Sequence, residues 1–442
     1  MNYLYLYLGA MLLVLFWYAR RQARTSRANR AALEEARASG LAEPASLHPV
    51  VSPGLCIGSG SCVTSCPEEA LGLVDGKAVL TNASACIGHG ACLAACPFDA
   101  ISLVFGTEKR GVDIPHVGPD FQSNVPGLYI AGELGGMGLI RKAAEQGRQA
   151  VDAIQARLRK AASAGASGAG GSDLLDLMIV GCGPAGLSAG LSSIEHKLSY
   201  RLIEQEDALG GCVYHYPRNK VTMTAPVDLA LVGKMRFSEV RKERLLEFWQ
   251  GVVDKTGLQI SFSERMDSVR READGSFSVR TTRGSYRARA VLLTLGRRGS
   301  PRKLEVPGED LPKVVYRLVD AEQYRGQRVL VVGGGDSALE AAIDLSEQPG
   351  CTVTLSYRSE AFSRVKPANR QRLDTRQASG KVEVLLSSVV REIGADEVVL
   401  QLAGDKRRTL GNDAVIICAG GLLPTPLLQA MGVEFDTKFG TA

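Results

Sequence analysis

Two mostly apolar runs along the chain are each followed by a glycine-rich turn and by helix-like spacing. The first run, Leu174–Val180, is typical of a strand buried on both faces, and Gly181-x-Gly183-x-x-Gly186 follows it directly. The second run, Arg328–Val332, leads into Gly333-Gly-Gly335. The helical pattern after that turn opens with Asp336, Ser337 and Ala338. The pattern therefore predicts two strand–turn–helix units.

The first glycine turn has the features of a cradle for a dinucleotide pyrophosphate. The first glycine forms the turn, the second lets the backbone approach the phosphates, and the third lets the helix pack on the strand. Pro184 and Ala185 lie between the second and third glycines, and Glu204 ends the next predicted strand. An acid about 20 positions on is placed for a ribose hydroxyl. The alternative is a chance glycine-rich turn.

The second turn favours NADPH over NADH. Ala338 replaces the third glycine, which is a permitted variant, and the next predicted strand, Thr352–Arg358, ends without an acidic residue. Arg358, Arg364, Lys366 and Arg370 cluster at and beyond its end, and an arginine there suits a 2′-phosphate. Each arginine taken singly is equally consistent with a solvated surface charge.

The N-terminal segment, Tyr3–Tyr18, is uncharged and almost wholly apolar, with aromatic residues at both ends and arginines directly after it. It is at the short end of the roughly 17–25 residues that a spanning helix needs. The pattern predicts a transmembrane anchor in the bacterial inner membrane, with the lipid bilayer as a partner and the soluble domains in the cytoplasm. A cleaved signal peptide is the rival, but it would carry its positive charge before the apolar run.

Length, charge and cysteine content limit the remaining classes of fold and function. A chain of 442 residues is expected to hold two to four domains, and a net charge of +5 gives no indication of a nucleic-acid surface. Six of the ten cysteines lie in two short clusters, which indicates metal binding rather than disulfides.

The two clusters form an internal repeat that ends each time in Cys-Pro. They are Cys56-IGSGS-Cys62-VTS-Cys66 and Cys86-IGHGA-Cys92-LAA-Cys96. The repeat resembles bacterial two-cluster ferredoxins, in which the fourth cysteine of each run ligates the other cluster. The resemblance implies one iron–sulfur cluster on Cys56, Cys62 and Cys96, and another on Cys86, Cys92 and Cys66.

The repeat departs from the ferredoxin pattern at the second cysteine of each run, where Ser59 and His89 stand. Three interpretations stay open. Each cluster is 3Fe–4S; or a cluster is 4Fe–4S with Ser59, His89 or an outside group as fourth ligand; or the domain has lost its clusters. A histidine ligand would raise the reduction potential.

The segment after the second cluster carries a further motif, Val125-PGLYIA-Gly132-Glu133. It resembles the flavin-ribityl motif of thioredoxin-reductase-like flavoproteins, in which the acid binds the ribityl chain. The resemblance implies FAD, with a helix starting near Gly136–Leu139 whose N-terminus stabilises the reduced ring. In that family the motif closes the chain, whereas here it precedes Gly181. We therefore expect a circular permutation, with the old termini joined through the linker Ala161–Ser172. The alternative is that Val104–Val151 merely extends the ferredoxin domain.

The resemblance extends over Val104–Ala442 and includes two glycine crossovers, one at Gly296 and one at Gly420. True thioredoxin reductases carry a redox Cys-x-x-Cys that this chain lacks. Cys212 follows Gly211 in a glycine pair that lies near the flavin in the family, so it is either a reactive thiol or a small packing residue.

The predicted fold class is α/β, with two Rossmann-like three-layer nucleotide-binding domains, a small α+β ferredoxin domain and one N-terminal transmembrane helix. The predicted domains are the anchor (1–19), a stalk and linker (20–51), the ferredoxin-like domain (52–103), the permuted part of the FAD domain (104–160), a flexible linker (161–172), the FAD domain (173–298), the NAD(P)H domain (299–412) and a return to the FAD domain (413–442).

These features predict an electron-transfer enzyme that passes electrons between NADPH, FAD and the clusters, with a redox protein or a membrane carrier as partner. The protein would supply geometry and electrostatics while the cofactors supply the chemistry. Two alternatives are a redox sensor or assembly factor, and a thiol/disulfide reductase that uses Cys212. The family resemblance also suggests a homodimer.

Overall fold

The computed structural model describes residues 2–38, 44, 47–86, 88, 90–108, 111–136, 138–163, 173–218, 220–297, 299–362 and 365–440. The described residues form two compact units. The first comprises Met1–Val112, Gly326–Asp413 and Lys438–Ala442, and the second comprises Asp113–Arg325 and Ala414–Thr437.

A long helix opens the first unit and a small module of paired strands and short helices follows it. Strand β1 pairs antiparallel with β4, and β2 with β3. Residues His48–Val51, assigned to the linker from the sequence, thus form a strand of this module. Its elements are α1 (Asn2–Ala38), β1 (His48–Val51), α2 (Ser61–Thr64), β2 (Leu71–Val74), β3 (Lys77–Leu80), α3 (Ala91–Ala94) and β4 (Ile101–Val104), with a 3-10 turn at Ala83–Ala85.

Helix α1 continues without a break from the apolar segment into the arginine-rich segment. In the part of the chain that the structure describes, we find no helix whose apolar stretch is long enough to cross a membrane. The transmembrane helix predicted over residues 1–19 is therefore not borne out. In the sequence the apolar run, Tyr3–Tyr18, is itself shorter than the roughly 20 residues that a spanning helix needs.

The C-terminal half of α1 packs on the β2–β3 hairpin. Asn29 Nδ2 donates a hydrogen bond to the Leu73 carbonyl at 2.9 Å, and Ser26 Oγ accepts one from the Asp75 backbone N–H at 3.0 Å. Arg30 forms an ion pair with the Asp75 carboxylate. The predicted stalk is thus a helix that is attached to the module.

The second unit is built on a parallel sheet in the order β6-β17-β8-β9. The elements up to residue 325 are β5 (Val112–Pro115), β6 (Leu128–Ile130), α4 (Ile140–Ser163), β7 (Leu174–Leu175), β8 (Leu177–Val180), α5 (Pro184–Glu195), β9 (Tyr200–Ile203), β10 (Val221–Met223), β11 (Val227–Leu229), β12 (Gly233–Met235), β13 (Glu239–Arg241), α6 (Lys242–Thr256), β14 (Met266–Arg271), β15 (Phe277–Thr281), β16 (Gly284–Ala288), β17 (Val291–Leu293), β18 (Ser300–Pro301) and β19 (Val314–Val315), with 3-10 turns at Glu133–Gly135, Gly211–Val213 and Ala321–Tyr324.

Both faces of this parallel sheet are covered, which explains why its strands are apolar at every position. On one face, Ile179 and Leu292 pack with residues of α4 and α5, among them Ile154 and Leu187. On the other face, Met178 and Leu293 pack with Phe277 and Val279 of the antiparallel β14–β15–β16 sheet. The three layers agree with the predicted Rossmann-like domain. Strand β6, which precedes the linker in sequence, lies at the edge of the same sheet.

The second strand–turn–helix unit begins a further α/β region. Strands β20, β21 and β22 are parallel, and β23, β24 and β25 form an antiparallel sheet. The remaining elements are β20 (Arg328–Val332), α7 (Asp336–Ser346), β21 (Thr352–Ser356), α8 (Pro367–Ala378), β22 (Val382–Leu385), β23 (Val389–Ile393), β24 (Glu397–Gln401), β25 (Arg407–Gly411), β26 (Ala414–Ile417), β27 (Gly421–Leu422), α9 (Thr425–Ala430) and β28 (Phe435–Lys438), with a 3-10 turn at Ala403–Asp405.

Candidate functional sites

The first glycine turn joins the buried strand β8 to helix α5. Gly181 has φ +104°, and a Cβ there would lie 2.7 Å from the Thr294 carbonyl oxygen. A Cβ at Gly186 would lie 1.8 Å from the Gly181 carbonyl oxygen. Gly183, in contrast, has no protein atom nearer to such a Cβ than Gly211 Cα, at 4.0 Å. Two glycines are therefore required by packing, and the middle one faces the open space that a pyrophosphate would fill.

Glu204 lies directly after β9, and its carboxylate is held against this turn. Oε2 accepts a hydrogen bond from the Cys182 backbone N–H at 2.6 Å, and Oε1 accepts one from the Glu206 N–H at 3.1 Å. The side chain is buried, and burial raises the pKa of this carboxyl despite the two N–H donors. The predicted ribose-binding acid thus lies beside the predicted phosphate cradle.

Strand β6 brings a second set of predicted residues to the same domain. Gly132, with φ +84°, packs so closely that a Cβ there would lie 3.1 Å from Ala185 Cβ. The side-chain oxygen of Gln146 accepts the Gly132 backbone N–H at 2.8 Å. Gln146 was not singled out from the sequence. The signal that could have found it is one polar residue on the buried side of an otherwise apolar helix stripe.

The Glu133 carboxylate lies within the same group of residues. Its Oε2 is 4.0 Å from the position of a Cβ at Gly296 and 3.9 Å from Cys212 Sγ. Burial lowers the pKa of Arg297, while Glu133 and Asp113 partly offset that effect. Glu133, Gly296, Cys212 and the Gly183–Gly211 contact therefore lie together within the second unit, and we call this group of residues the flavin groove. Arg297 is a further charged residue of this groove that sequence reasoning missed.

Cys212 is the candidate redox thiol. Its carboxylate neighbour, Glu133, opposes a negatively charged sulfur rather than favouring it. A reactive cysteine usually lies in electropositive surroundings. The Glu133 carboxylate therefore acts against activation of this thiol.

The second glycine turn packs against an aromatic ring. A Cβ at Gly334 would lie 2.2 Å from the Tyr357 ring, so this turn excludes a side chain there. Gly335 is extended and caps α7, and Ala338 is fully buried. Asp336 Oδ1 accepts the Lys366 backbone N–H and the Asn369 side-chain N–H, each at 2.8 Å. Sequence reasoning did not connect Lys366 or Asn369 with Asp336.

The predicted 2′-phosphate arginines can be placed only in part. Arg358 is exposed and follows Tyr357 at the end of β21. Arg364 lies outside the described residues. Arg370 is paired with Asp374 at 2.9 Å and lies over the Phe362 ring.

The six clustered cysteines are arranged as two triplets, each lining its own cavity. We call them the first triplet (Cys56, Cys62, Cys96) and the second triplet (Cys66, Cys86, Cys92). The first lines a cavity together with Ser59, and the second lines a separate cavity. These are the two sets of three that the ferredoxin resemblance implies. His89 lies outside the described residues.

Backbone N–H groups point at one sulfur or more in each triplet. Ala78 donates to Cys56 Sγ at 3.4 Å, Ala100 to Cys96 Sγ at 3.3 Å, and Ala70 to Cys66 Sγ at 3.4 Å. Such donors stabilise the thiolate charge of an iron–sulfur ligand. Gly58 also lets its loop approach the backbone at Gly76, because a Cβ at Gly58 would lie 2.0 Å from the Gly76 carbonyl oxygen. Among the described residues, no three metal-binding side chains are grouped to hold a single metal ion. The residues present fit an iron–sulfur cluster, because a cluster holds its thiolate ligands farther apart than a single metal ion does.

Burial raises the pKa of the Cys62 and Cys86 thiols and raises that of Cys92 to about 11. Neighbouring cysteines of the same triplet add to the increase, and Glu68 adds to it at Cys86. Without a cluster these sulfurs hold their protons at neutral pH, so cluster assembly must release protons.

Comparison with known proteins identifies the family of the region with the glycine turns and the domain type of the region with the cysteine clusters. Residues 178–440 match the pyridine nucleotide-disulphide oxidoreductase family, and residues 48–97 match the 4Fe-4S dicluster domain. The ferredoxin–NADP reductase of Thermus thermophilus is 32% identical, over 60% of this chain and 78% of that protein. The bacilliredoxin reductase Bdr of Bacillus subtilis is 26% identical, over 60% of this chain and 82% of that protein.

A solved structure agrees with these matches. The bacillithiol disulfide reductase Bdr (YpdA) from Staphylococcus aureus superposes with a TM-score of 0.51 at 26% identity, covering 59% of this chain and 81% of that one. The family match spans more than half of the chain and includes both glycine turns. The chain therefore belongs to the pyridine nucleotide-disulphide oxidoreductase family and is an FAD-dependent NAD(P)H oxidoreductase that also carries a 4Fe-4S-type domain.

Proposed function

We propose that this protein passes electrons between NADPH and two iron–sulfur clusters through FAD, and exchanges them with a separate redox partner. The observation that carries the proposal is the presence, in one chain, of two cavities lined by cysteine triplets and of the two glycine turns of the oxidoreductase family. The ferredoxin–NADP reductases among the relatives support it, because their names join a nicotinamide nucleotide to an iron–sulfur protein. Here the iron–sulfur domain is part of the same polypeptide.

The residues of the flavin groove have separate roles in holding FAD. Bound FAD supplies two-electron exchange with nicotinamide and one-electron exchange with clusters. Gly183 leaves room for the pyrophosphate at the N-terminus of α5, whose dipole favours negative charge. Glu204 faces the turn as the ribose-binding acid, and Glu133 is the candidate partner of the ribityl chain. Helix α4 begins at Ile140, close to the expected start, so its positive end supports the reduced ring.

We also propose that the flavoprotein is circularly permuted. Strand β6 pairs with β17 in parallel, with Leu128 opposite Val291, and so completes a sheet whose other strands all follow the linker. The relatives match this chain over about four-fifths of their own length. A segment corresponding to β6 and α4 would supply the remainder.

Arg358 is our candidate for NADPH selection. It is exposed at the end of β21, where an arginine accommodates a 2′-phosphate. We expect Arg358→Ala to raise the KM for NADPH and to leave the KM for NADH unchanged. Equal effects on both nucleotides would assign the arginine to general charge steering.

We propose that α1 associates with a lipid bilayer. The described side chains from Tyr5 to Tyr18 are exposed on all sides of the helix, and Arg20 and Arg21 follow. A helix that is apolar all round fits lipid better than a protein groove, which covers one face. We expect removal of residues 1–19 to move the protein from the membrane pellet to the supernatant. An unchanged distribution contradicts this proposal.

A thiol/disulfide reductase is the second candidate function. It is favoured by the position of Cys212 in the flavin groove and by the disulfide-reductase relatives. Cys212→Ser separates the two, because it should abolish disulfide reduction and leave one-electron transfer intact.

The deciding experiment is anaerobic purification followed by optical and paramagnetic spectra before and after NADPH. We expect flavin bleaching and the signals of reduced clusters, with the integrated spin giving the cluster number and type. Flavin reduction without cluster reduction would overturn the electron-transfer proposal. Bound cofactors with negligible turnover would favour a redox sensor. Sedimentation of the same sample tests the expected homodimer.

A further inference from the structure

Helix α1 and strand β2 run in opposite directions where they touch. Asn29 bonds to the Leu73 carbonyl, whereas Ser26, one turn closer to the apolar half of α1 (Tyr3–Tyr18), bonds to the backbone N–H of Asp75. As β2 advances toward its turn, its contacts on α1 therefore move back toward the N-terminus. The turn of the β2–β3 hairpin is thus the end that lies nearest to the apolar half of α1.

The first triplet lies at this turn of the hairpin. Lys77 donates a hydrogen bond to the Cys56 carbonyl, and the Ala78 backbone N–H donates to Cys56 Sγ at 3.4 Å. Gly58 packs so closely that a Cβ there would lie 2.0 Å from the Gly76 carbonyl oxygen. The loop that carries Cys56 is therefore fixed to the end of the hairpin that points toward the apolar half of α1.

The second triplet lies at the other end of the same hairpin. The backbone N–H of Ala70 donates to Cys66 Sγ at 3.4 Å, and Ala70 and Leu71 line the second cavity. Leu71 pairs with Leu80 at the end away from the turn. Since a strand advances about 3.3 Å per residue, the two ends of this hairpin are roughly 10 Å apart. The two triplets therefore differ in their distance from the apolar half of α1.

Helix α1 fixes how far the hairpin turn can lie from lipid. The helix is continuous from its apolar half to Ser26, with Arg20 and Arg21 in between. At 1.5 Å per residue, Ser26 is about 12 Å from Tyr18 along the helix axis. The arginines in this interval suit the anionic headgroups of a bilayer surface. If the apolar half lies in lipid, the hairpin turn and the first triplet are therefore held close to that surface.

The loop of the first triplet also exposes apolar side chains. Leu55 and Ile57 flank Cys56 and are 56% and 63% exposed. Ile57 and Phe98 line the first cavity, and Phe98 is 48% exposed. Exposed apolar side chains grouped beside a cavity indicate a partner that is itself apolar.

We propose that α1 holds the first triplet next to the bilayer, and that a lipid-soluble carrier of the quinone class exchanges electrons there. The proposal rests on the proposed function, including the membrane association of α1, and concerns only the bilayer end of the electron path. Oxidation of one NADPH to NADP⁺ releases two electrons and a proton. Reduction of one quinone to its hydroquinone takes two electrons, delivered singly by the cluster, and two protons, the second from water. Ser26, Asn29 and Arg30 are positioning residues in this scheme.

Paramagnetic relaxation tests the placement without turnover. The full chain is bound to phosphatidylglycerol vesicles in which a small fraction of the lipids carries a Gd³⁺ chelate on the headgroup, and dithionite reduces the clusters directly. Cys66→Ala leaves the first-triplet cluster intact, and Cys62→Ala leaves the second. We expect the Gd³⁺ lipid to enhance relaxation several-fold more for the first-triplet cluster. Equal enhancement, or the reverse order, would overturn the placement.

An insertion in α1 gives the same test with every cysteine in place. Two helical turns of alanine between Arg24 and Thr25 lengthen the helix by about 11 Å and leave its contacts with the hairpin intact. Relaxation of the clusters by the Gd³⁺ lipid should fall several-fold. The same insertion within the linker, residues 161–172, is the matched control and should change nothing. Relaxation that is unaffected by the α1 insertion would show that α1 does not set the distance.

Quinone reduction separates this proposal from those on which it rests. In vesicles that contain a long-chain benzoquinone, NADPH should reduce the quinone, and the α1 insertion should slow that step several-fold without changing cluster reduction. A quinone that stays oxidised while NADPH reduces the clusters would rule out the quinone and leave the proposed function intact. If NADPH reduces no cluster, the proposed function fails, whereas the relaxation result still stands. Failure of the protein to sediment with the vesicles would instead refute the membrane association.

Discussion

At the scale of single residues, Gly186 and Gly183 have opposite requirements although both belong to one motif. A Cβ at Gly186 would lie 1.8 Å from a backbone oxygen, so Gly186→Ala should destabilise the fold by about 1–3 kcal/mol. Gly183 has φ −78° and open space, so Gly183→Ala should leave the stability of the flavin-free protein unchanged. It should still weaken FAD binding, because the methyl group would fill the pyrophosphate position.

The flavin-to-protein ratio and the melting temperature of the flavin-free protein separate these two effects. Normal flavin content in Gly183→Ala would mean that the pyrophosphate lies elsewhere.

Glu264 makes a second prediction at this scale. It is fully buried, and its carboxylate accepts hydrogen bonds from Thr281 Oγ1 at 2.7 Å and from Arg201 at 3.1 Å. Burial alone would raise its pKa, but these hydrogen bonds together with one from Tyr286 hold the pKa below the usual value. A lowered pKa means that the carboxylate stabilises the fold above the ordinary Glu pKa and loses that effect as the pH falls through the folded-state value.

We therefore expect Glu264→Gln to lower the free energy of unfolding by about 2 kcal/mol near neutral pH. The difference from the wild type should shrink as the pH falls below the ordinary Glu range. Urea unfolding of both proteins over that pH range gives the measurement. Asp267→Asn is the control, because that carboxylate pairs with Arg265 in solvent. A pH-independent difference would show that the effect is one of packing.

The sequence predicted residues whose role follows from the spacing of a local motif, such as Gly181 and Glu204. It did not predict the roles of Gln146 and Arg297 or the contact of Lys366 with Asp336. Each of these acts through a partner more than ten positions away, and each belongs to a residue type that usually lies on the surface. Only the folded chain brings such pairs together.

At the scale of elements, α1 shows how one helix can carry two patterns. Its apolar and arginine-rich halves were predicted as an anchor and a stalk, yet they are continuous, and the second half is fixed by Asn29 and Ser26. A Cβ at Gly72 would lie 2.8 Å from the Asn29 side chain. Gly72→Ala should therefore displace Asn29 from the Leu73 carbonyl and weaken the attachment of α1 by about 1 kcal/mol.

Limited trypsin digestion reads out this change, because cleavage after Arg27 and Arg30 should become several-fold faster. Gly54→Ala is the matched control, since a Cβ there meets no atom within 4 Å. Identical cleavage in Gly72→Ala and Gly54→Ala would show that α1 is not held by this contact.

Strand β6 could be anticipated only through family resemblance. Its three residues, Leu128–Ile130, are too few to carry a periodic signal. The sheet accepts them because each is fully covered on both faces and pairs with β17 in register. Local pattern alone would equally have allowed this strand to extend the ferredoxin-like module, which was the alternative that the sequence left open.

At the scale of the whole molecule, the resemblance of the cysteine runs to two-cluster ferredoxins indicated which thiols share a cavity. It gave no information on which module lies beside which triplet. That arrangement depends on surface pairs such as Glu68–Lys366, whose individual contributions to stability are small. The order of motifs along the chain therefore predicts which modules this protein contains better than it predicts which residues join one module to another.

The proposed permutation makes a prediction about the order of the parts. If β6 and α4 belong to the flavin domain, a rearranged chain that begins at residue 173, runs to 440 and then continues with residues 111–163 should fold and bind FAD. The ends are compatible, because β5 pairs with β28 near residue 440. The matched control is residues 173–440 alone, which lack Glu133 and the buried edge strand β6. This control should expose the apolar edge of the sheet, aggregate more readily and bind no flavin. Flavin absorbance and NADPH-driven bleaching of the two chains give the comparison. If residues 173–440 alone bound FAD as tightly as the rearranged chain, the segment before the linker would be dispensable for the flavin site, and the permutation would lose its physical basis.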